Sequence, residues 1–184
     1  MKNKLFAVLA LLSFGLNYAQ EETKSRENEV KVNFLNTITI ASVEIGYERF
    51  FGNDQSVGFE IFINDRFSYA QETQGRKFET NSFALSYNFY FSGKNNSSGY
   101  YLSPFFKYRF GDYVKNEDIG GILTKVSYDI SSPIVGLGIG YKWLWNEKLT
   151  VGVGGTLGRN FSKDVQDLFV AVEPNANITV GYRF

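Results

Sequence analysis

Short segments in which apolar and polar residues alternate with period two dominate the chain. In the clearest of them, residues 82–91, every second position carries a large apolar side chain, from Phe83 to Phe91. Alternation of this length separates two kinds of side chain onto the two faces of a β-strand and does not fit a helix. Eight such segments are found: Val30–Thr37, Ser42–Phe50, Ser56–Asn64, Ser82–Phe91, Tyr100–Phe110, Val135–Trp143, Leu149–Leu157 and Val172–Phe184. The pattern predicts an all-β chain of eight strands.

The connections between these segments alternate in length. On one side they are short and rich in Gly, Asn and Ser: 51–55, 92–98 and 145–148. On the other side they are longer and charged, apart from the first: 36–41, 65–77, 111–124 and 159–169. Short periplasmic turns and longer outer loops are typical of bacterial outer-membrane barrels. The sequence therefore predicts an eight-stranded antiparallel up-and-down transmembrane β-barrel.

The beginning of the chain is not expected to belong to the strands. Residues 1–19 combine Lys2 and Lys4 with an apolar run and a small residue at the end, which is typical of a cleaved signal peptide. The apolar run is shorter than the roughly 20 residues that a membrane-spanning helix needs. We therefore expect export, a flexible segment over 20–29, and a single barrel domain over 30–184.

Aromatic residues make up 17% of the chain and cluster at the two ends of the predicted strands. The periplasmic ends carry Phe50, Phe51, Tyr90, Phe91, Tyr100, Tyr101, Trp143, Trp145, Tyr182 and Phe184. The outer ends carry Phe67, Phe78, Phe110, Tyr113 and Phe161. Two girdles of this kind are expected where amphipathic rings meet the membrane–water boundaries. A soluble lipocalin-like barrel also alternates but would turn its aromatic face inward, and alternation alone leaves that alternative open.

The polar faces of the predicted strands carry charged residues that would point into the lumen: Lys31, Glu44, Glu48, Glu60, Lys107, Arg109, Lys142, Glu173 and Arg183. The interior of an eight-stranded barrel is only wide enough for side chains to fill. We expect the charges to pair, Arg183 with Glu48, because an unpaired buried charge is costly. Glycines of the sixth and seventh segments would leave room opposite Glu44, Glu48 and Glu60, which favours a lumen closed by side chains. A narrow polar conduit is the alternative.

The sequence lacks the residues that several classes of function need. It contains no histidine, which removes the Ser–His and Asp–His arrangements of hydrolases and the most common metal ligand. Glu44 and Glu48 would lie about 13 Å apart along a strand, too far for a glycosidase pair at about 5–9.5 Å. The acidic residues of the longer connections match no calcium-loop pattern. We expect neither enzymatic activity, nor a cofactor, nor a metal site.

The charge of the chain argues against a nucleic-acid partner. Loss of Lys2 and Lys4 with the predicted signal peptide leaves 17 basic residues against 19 acidic residues. Proteins that bind nucleic acid carry a basic surface, and this composition does not provide one.

Two positions disturb the alternation. Pro104 lies inside the fifth segment, where a closed barrel has no free edge for a missing N–H, and it predicts a bulge or an interfacial position. Around residues 131–133 the apolar positions change from even to odd numbers, which predicts a second bulge. The sixth strand would then continue above the membrane from about Val126.

Three stretches of the chain resemble small outer-membrane β-barrels of the OmpA/OmpX type, and in particular an uncharacterised bacterial family of that size. They are Val30–Asn36, Glu44–Phe50 and Gly181–Phe184. The resemblance covers essentially all of the chain after the predicted signal peptide. It implies the barrel fold and the outer membrane, and that family provides no established catalytic residues. Outer-membrane barrels usually end with a strand whose last residue is aromatic. Tyr182 and Phe184 are therefore expected to form the signal read by the barrel-assembly machinery.

These expectations describe a non-enzymatic outer-membrane protein with a closed polar lumen and a structural or surface-interaction role. Its partners would be outer-membrane lipid, the barrel-assembly machinery and an extracellular ligand or surface. The ligand would be bound through the longer loops, 65–77, 111–124 and 159–169. A narrow pore or a carrier of hydrophobic ligands is the alternative, and a soluble periplasmic barrel is a third.

Overall fold

The computed structural model describes residues 26–52, 54–65, 77–91, 97–168 and 171–184. The chain forms a closed barrel of eight strands, antiparallel in chain order, and the last strand pairs with the first. The strands are β1 (Asn28–Asn33), β2 (Val43–Phe51), β3 (Gln55–Ile63), β4 (Lys77–Tyr90), β5 (Gly99–Ile119), β6 (Ile122–Trp145), β7 (Leu149–Asn160) and β8 (Val172–Arg183). The helices are α1 (Phe34–Ile40) and α2 (Lys163–Leu168). The predicted all-β, eight-stranded up-and-down barrel is confirmed.

Some predicted segments lie outside the described residues. These are the signal peptide over 1–19, the first part of the flexible segment over 20–29, most of the loop over 65–77, which includes Phe67, and most of the turn over 92–98. Neither of the two helices in the described part of the chain is long and apolar enough to cross a membrane.

The barrel is apolar on its outer surface and polar in its interior. Along β2, Val43, Ile45 and Tyr47 are exposed, whereas the alternating Glu44 and Glu48 are buried. The same division holds around the wall, where the exposed large apolar residues include Val57, Phe59, Ile61, Leu85, Phe106, Leu137, Ile139, Val153, Leu157 and Ile178. A water-soluble barrel would bury these side chains, so the lipocalin-like arrangement is not adopted.

The aromatic girdles contain fewer residues than predicted. Phe51 and Trp143 face outward, but Phe50 and Tyr90 are buried, with ring centroids 6.2 Å apart. Tyr113, predicted for the outer girdle, is also buried. Phe50 follows two residues after the buried Glu48 on β2, so the strand alternation itself turns its ring into the lumen. Proximity to a strand end was therefore a weaker guide than alternation.

A short helix replaces the outer end of the predicted first strand. β1 ends at Asn33, and the residues predicted as strand up to Thr37 belong to α1. Asn33 caps the helix, because its side-chain oxygen accepts a hydrogen bond from the Leu35 N–H at 3.1 Å. Ala41, in the left-handed region with φ 53°, ends the helix.

β5 and β6 continue above the other strands as a two-stranded hairpin. Their pairing runs without an inserted residue from Gly99–Lys142 to Ile119–Ile122, and Gly120 forms part of the turn with φ 67°. Residues 111–124, predicted as a loop, are therefore mostly strand. The bulge predicted at 131–133 is wrong.

The apolar positions of β6 change from even to odd numbers because the surroundings of the strand change along its length. On the wall of the barrel, the outward residues Val135 and Leu137 of β6 are exposed and apolar. Near the outer mouth, Ile130 and Ile134 on the interior face are each 1% exposed. Ile130 and Ile134 are shielded from water on the inner face, whereas Val135 and Leu137 face outward on the barrel wall, where the other exposed residues are also apolar.

Pro104 is also accommodated without a bulge. The β4–β5 register is the same on both sides of it, with Ser86 opposite Phe105 and Phe89 opposite Leu102. Pro104 keeps its place opposite Leu137 on β6. Pairing with β4 is interrupted only beside the proline, as expected for a residue that has no N–H.

The predicted loop 159–169 begins as strand and then forms α2. β7 extends to Asn160, whose side-chain oxygen accepts a hydrogen bond from the Ser162 N–H at 2.8 Å. Val165 of α2 is 1% exposed. This connection therefore packs against the outer end of the barrel.

Candidate functional site: the barrel interior and the outer hairpin

The nine charged residues that alternation assigned to the lumen lie on the interior side of the barrel. Eight of them line an interior cavity of about 120 Å³, and Arg183 is 4% exposed. The cavity is large enough for several water molecules. Their contacts divide the charges into two layers, one toward each mouth, and the layers include two carboxylates that the pattern missed, Glu29 and Asp65.

The periplasmic layer is centred on Lys142. Its Nζ donates to Glu29 Oε1 at 3.0 Å and to Glu48 Oε2 at 2.8 Å. Because Lys142 is on β6 and the glutamates are on β1 and β2, these contacts cross the lumen. A second cation, Lys31, lies 3.7 Å from Glu48 and 2.7 Å from Glu60.

Neutral donors complete the coordination of Glu48. Ser56 and Tyr90 donate their hydroxyl protons to Glu48 Oε1, and Asn88 Nδ2 donates to the same atom at 3.2 Å. The carboxylate is 1% exposed and fully satisfied by these groups and the two lysines. A buried charge needs this number of partners to be tolerated.

Arg183 pairs with Glu29, and the predicted pairing with Glu48 is wrong. Arg183 Nε donates to Glu29 Oε2 at 2.9 Å, and Nη2 donates to the Ser97 carbonyl at 2.6 Å. The guanidinium also lies 4.1 Å from the centroid of the Phe50 ring. Glu29 stands directly opposite Arg183 in the β1–β8 register, whereas Glu48 is one strand further away.

The outer layer is centred on Arg109. Its Nη1 and Nη2 donate to the two carboxylate oxygens of Glu173 at 2.7 and 2.8 Å, and Nε donates to Asp65 Oδ2 at 2.8 Å. Lys107 Nζ lies 2.7 Å from the same Asp65 oxygen and 4.0 Å from the Phe62 ring centroid. The bidentate Arg109–Glu173 pair joins β5 to β8 and therefore also crosses the lumen.

Alternation could have identified Glu29 but not Asp65. Glu29 precedes Lys31 by two residues and shares its strand face. Asp65 follows Ile63, an outward residue that is 51% exposed, so alternation would place it outside. Asn64 between them adopts a left-handed conformation with φ 59°, and this turns Asp65 inward.

The carboxylate of Glu44 accepts hydrogen bonds from two asparagine side chains at the outer end of the barrel. Asn33 Nδ2 donates to Glu44 Oε2 and Asn36 Nδ2 donates to Oε1, both at 2.6 Å. Asn36 belongs to α1 and also donates to Asn175 Oδ1 of β8 at 3.0 Å. These bonds tie α1 across the outer end of the lumen.

Aromatic side chains of β5 cover the glycines of β6 and β7. A Cβ atom at Gly154 would lie 2.7 Å from Tyr101 Oη, and one at Gly140 would lie 2.5 Å from it. A Cβ atom at Gly158 would lie 3.4 Å from Phe105. The expectation that the glutamates of β2 and β3 reach into this room is wrong, because those glutamates are held by lysines and amides. The glycines instead make room for Tyr101 and Phe105.

Metal chemistry finds no support in the described ranges. Within them, no group of three or more acidic side chains is placed to hold a metal ion. The interior side chains instead form ion pairs across the lumen, such as Arg109–Glu173 and Lys142–Glu48.

The tip of the β5–β6 hairpin is strongly exposed. Ile122 and Leu123 beside the turn are 70% and 75% exposed. On its inner face, Lys115 Nζ and the Tyr128 hydroxyl each lie 2.7 Å from Glu117 Oε1. The Lys115–Glu117 hydrogen bond raises the pKa of Lys115 and lowers the pKa of Glu117. The hydrogen bond from Tyr128 to Glu117 raises the pKa of Tyr128.

Among the residues that the structure describes, the outer part of the hairpin has unpaired backbone edges. β4 accompanies β5 only as far as Val114, and β7 accompanies β6 only as far as Ile134. Beyond these residues, each strand pairs only with the other among the described residues. Unpaired N–H and C=O groups on such edges can pair with another extended chain.

No family model matches the chain, and no curated protein matches its sequence. The fold is similar to the N-terminal β-barrel domain of Pseudomonas aeruginosa OprF, with a TM-score of 0.51 and 13% identity, over 87% of this chain and 98% of that one.

Two further structures of small barrels match less well. Neisserial surface protein A gives a TM-score of 0.47 at 14% identity, over 85% of this chain and 92% of that one. Ail, the attachment invasion locus protein of Yersinia pestis, gives 0.48 at 11%, over 88% and 100%. The eight-stranded closed barrel and its similarity to the OprF domain confirm the resemblance to small outer-membrane barrels at the level of the fold.

Proposed function

We propose that the chain is a non-enzymatic integral protein of a bacterial outer membrane, with a closed lumen and an outer hairpin that contacts other surfaces. The reversed polarity of the barrel carries this proposal: large apolar side chains face outward while charged pairs occupy the interior. Soluble monomers rarely expose large contiguous apolar surfaces. Surrounding lipid removes the cost of that exposure.

Two charged layers support a closed lumen rather than a pore. Lys142 closes the section toward the periplasm, and Arg109 closes the section toward the outer mouth. The space of about 120 Å³ is lined by residues of both layers and by those between them. A carrier of hydrophobic ligands would need an apolar interior, which the buried charges do not offer.

The proposed assembly signal, Tyr182 and Phe184, is tested by Phe184→Ala. The Phe184 backbone closes the barrel, with its N–H donating to Asn28 O at 2.9 Å, so the substitution removes only the ring, which is 49% exposed. We expect severalfold less folded protein in the outer membrane. Fractionation followed by a gel of unheated and heated samples measures this, because folded barrels shift on heating.

Phe91→Ala is the matched control for this experiment. Phe91 is an exposed aromatic at the same end of the barrel and is 65% exposed. Wild-type protein in the periplasmic fraction without a heat shift would contradict membrane insertion. Equal membrane levels for Phe184→Ala, Phe91→Ala and wild type would contradict only the assembly signal.

The surface role is tested at the hairpin tip with the double variant Ile122→Ser/Leu123→Ser. Full burial of two such side chains is worth about 3 kcal/mol or more, so we expect at least a roughly tenfold loss of adhesion. Adhesion of whole cells to polystyrene and to one another is the measurement. Lys125→Ser, on the same hairpin, is the control and keeps the tip intact. Unchanged adhesion in the tip variant, with normal membrane levels, would refute the role of the tip.

A further inference from the structure

Arg159 stands on the outward face of β7 at the outer edge of the apolar belt. Leu157, two residues before it on the same face, is 57% exposed. The register partners of Arg159 are Val135 on β6 and Val172 on β8, which are 51% and 42% exposed. The base of the Arg159 side chain is therefore bordered by apolar residues on three sides.

The guanidinium of Arg159 has no carboxylate partner within the described chain. Its contact is the ring of Phe161, whose centroid lies 5.9 Å from Cζ and which is itself 55% exposed. Arg49, which also faces outward but toward the periplasmic side, is different: Nη2 lies 2.6 Å from Glu27, and Nη1 donates to Asn28 at 2.8 Å. The charge of Arg49 is therefore paired with a carboxylate, whereas among the described side chains that of Arg159 is not.

The position of Arg159 fits the headgroup region of the outer leaflet. At about 3.3 Å per residue, it lies about 6–7 Å above Leu157 along the strand. A long arginine side chain can keep its stem on apolar surface and extend its charged end to the membrane boundary. The N–H groups of the planar guanidinium match the oxygens of a phosphate group. A guanidinium that lies over an aromatic ring can still donate hydrogen bonds from its edge.

We propose that Arg159 binds a phosphate group on an outer-leaflet lipid, with Phe161 supporting the guanidinium. This inference rests on the proposed insertion into the outer membrane. The apolar residues around Arg159 contact the acyl chains of the same lipid, so the site selects a phosphorylated lipid over a free phosphate ion.

The experiment compares the full-length protein, folded in detergent micelles, with Arg159→Gln and the control Arg49→Gln. Each is titrated with lipid A and with lipid A from which the phosphates have been removed, and retained lipid is counted by native mass spectrometry. We expect wild type and Arg49→Gln to bind the phosphorylated form about fivefold more tightly. Arg159→Gln should bind both forms equally, and Arg159→Lys should keep part of the preference.

Three results would overturn the proposal. They are a wild type without preference for the phosphorylated lipid, an Arg159→Gln variant that keeps the full preference, and displacement of the lipid by inorganic phosphate at the same concentration. The last result would assign the site to a free anion. The heat shift of each protein on a gel reports folding separately, so a failure of the barrel proposal is distinguished from a failure of the lipid site.

Discussion

Replacing Lys142 with methionine is expected to lower the free energy of unfolding by about 3 kcal/mol. The ammonium group neutralises Glu29 and Glu48, which are each 1% exposed. Methionine keeps an unbranched stem of similar length but removes the charge. Arg183 and Lys31 then remain as the cations for these two buried carboxylates. Urea unfolding of the barrel in lipid vesicles, followed by tryptophan fluorescence, measures the change.

Arg49→Gln is the matched control for the Lys142 experiment. The Arg49–Glu27 pair is as short, at 2.6 Å, but its side chains are 51% and 40% exposed, so the loss should be below about 1 kcal/mol. Adding Glu48→Gln to Lys142→Met removes a carboxylate together with its cation and should recover part of the stability. Equal losses for Lys142→Met and Arg49→Gln would show that the interior layer does not stabilise the barrel.

Period-two alternation was sufficient to assign most interior residues, because the two faces of each strand meet opposite environments. Lys31, Glu48 and Lys142 were placed in the lumen by that pattern alone, and the structure has them there. Their pairing could not be predicted in the same way. Lys142 reaches β1 and β2 across the barrel, and that contact depends on closure and strand tilt, which a single strand does not encode.

Two of the departures from prediction share a physical cause. Alternation fails where the backbone leaves extended geometry, as at Asn64, whose left-handed conformation sends Asp65 inward. It fails again at α1, where Asn33 caps a helix within an apolar sequence that reads as strand. Ile38 of that helix is 80% exposed, so its apolar character did not report burial. Local caps and turns, rather than patterning, decide these positions.

Alternation was also misread where the solvent changes along one strand. β6 passes from the apolar belt to the exposed hairpin, and its apolar residues move from Val135 on the outer face to Ile130 on the inner face. A bulge and a change of solvent produce the same shift in the sequence. Only the uninterrupted β5–β6 register distinguishes them.

Replacing Arg109 with leucine is expected to have a larger effect than Lys142→Met, about 3–5 kcal/mol. Arg109 makes three charged hydrogen bonds and is 2% exposed. Without it, Asp65 keeps Lys107 at 2.7 Å, but Glu173 loses both bonds of its bidentate pair. Adding Glu173→Gln should recover much of the loss, since it removes the charge left without a cation. Urea unfolding in vesicles measures both variants, and an Arg109→Leu barrel as stable as wild type would contradict the outer layer.

The same variants decide whether each charged layer closes the lumen by itself. Wild type should give no stable current in planar lipid bilayers, because Arg109–Glu173 and Lys142–Glu48 each span the interior. Arg109→Leu and Lys142→Met should each stay closed, since one layer remains. The double variant should conduct an ohmic current. The heat shift on a gel confirms that this variant is folded when the current is measured. A stable current through the wild-type barrel would instead support the narrow pore and refute the closed lumen.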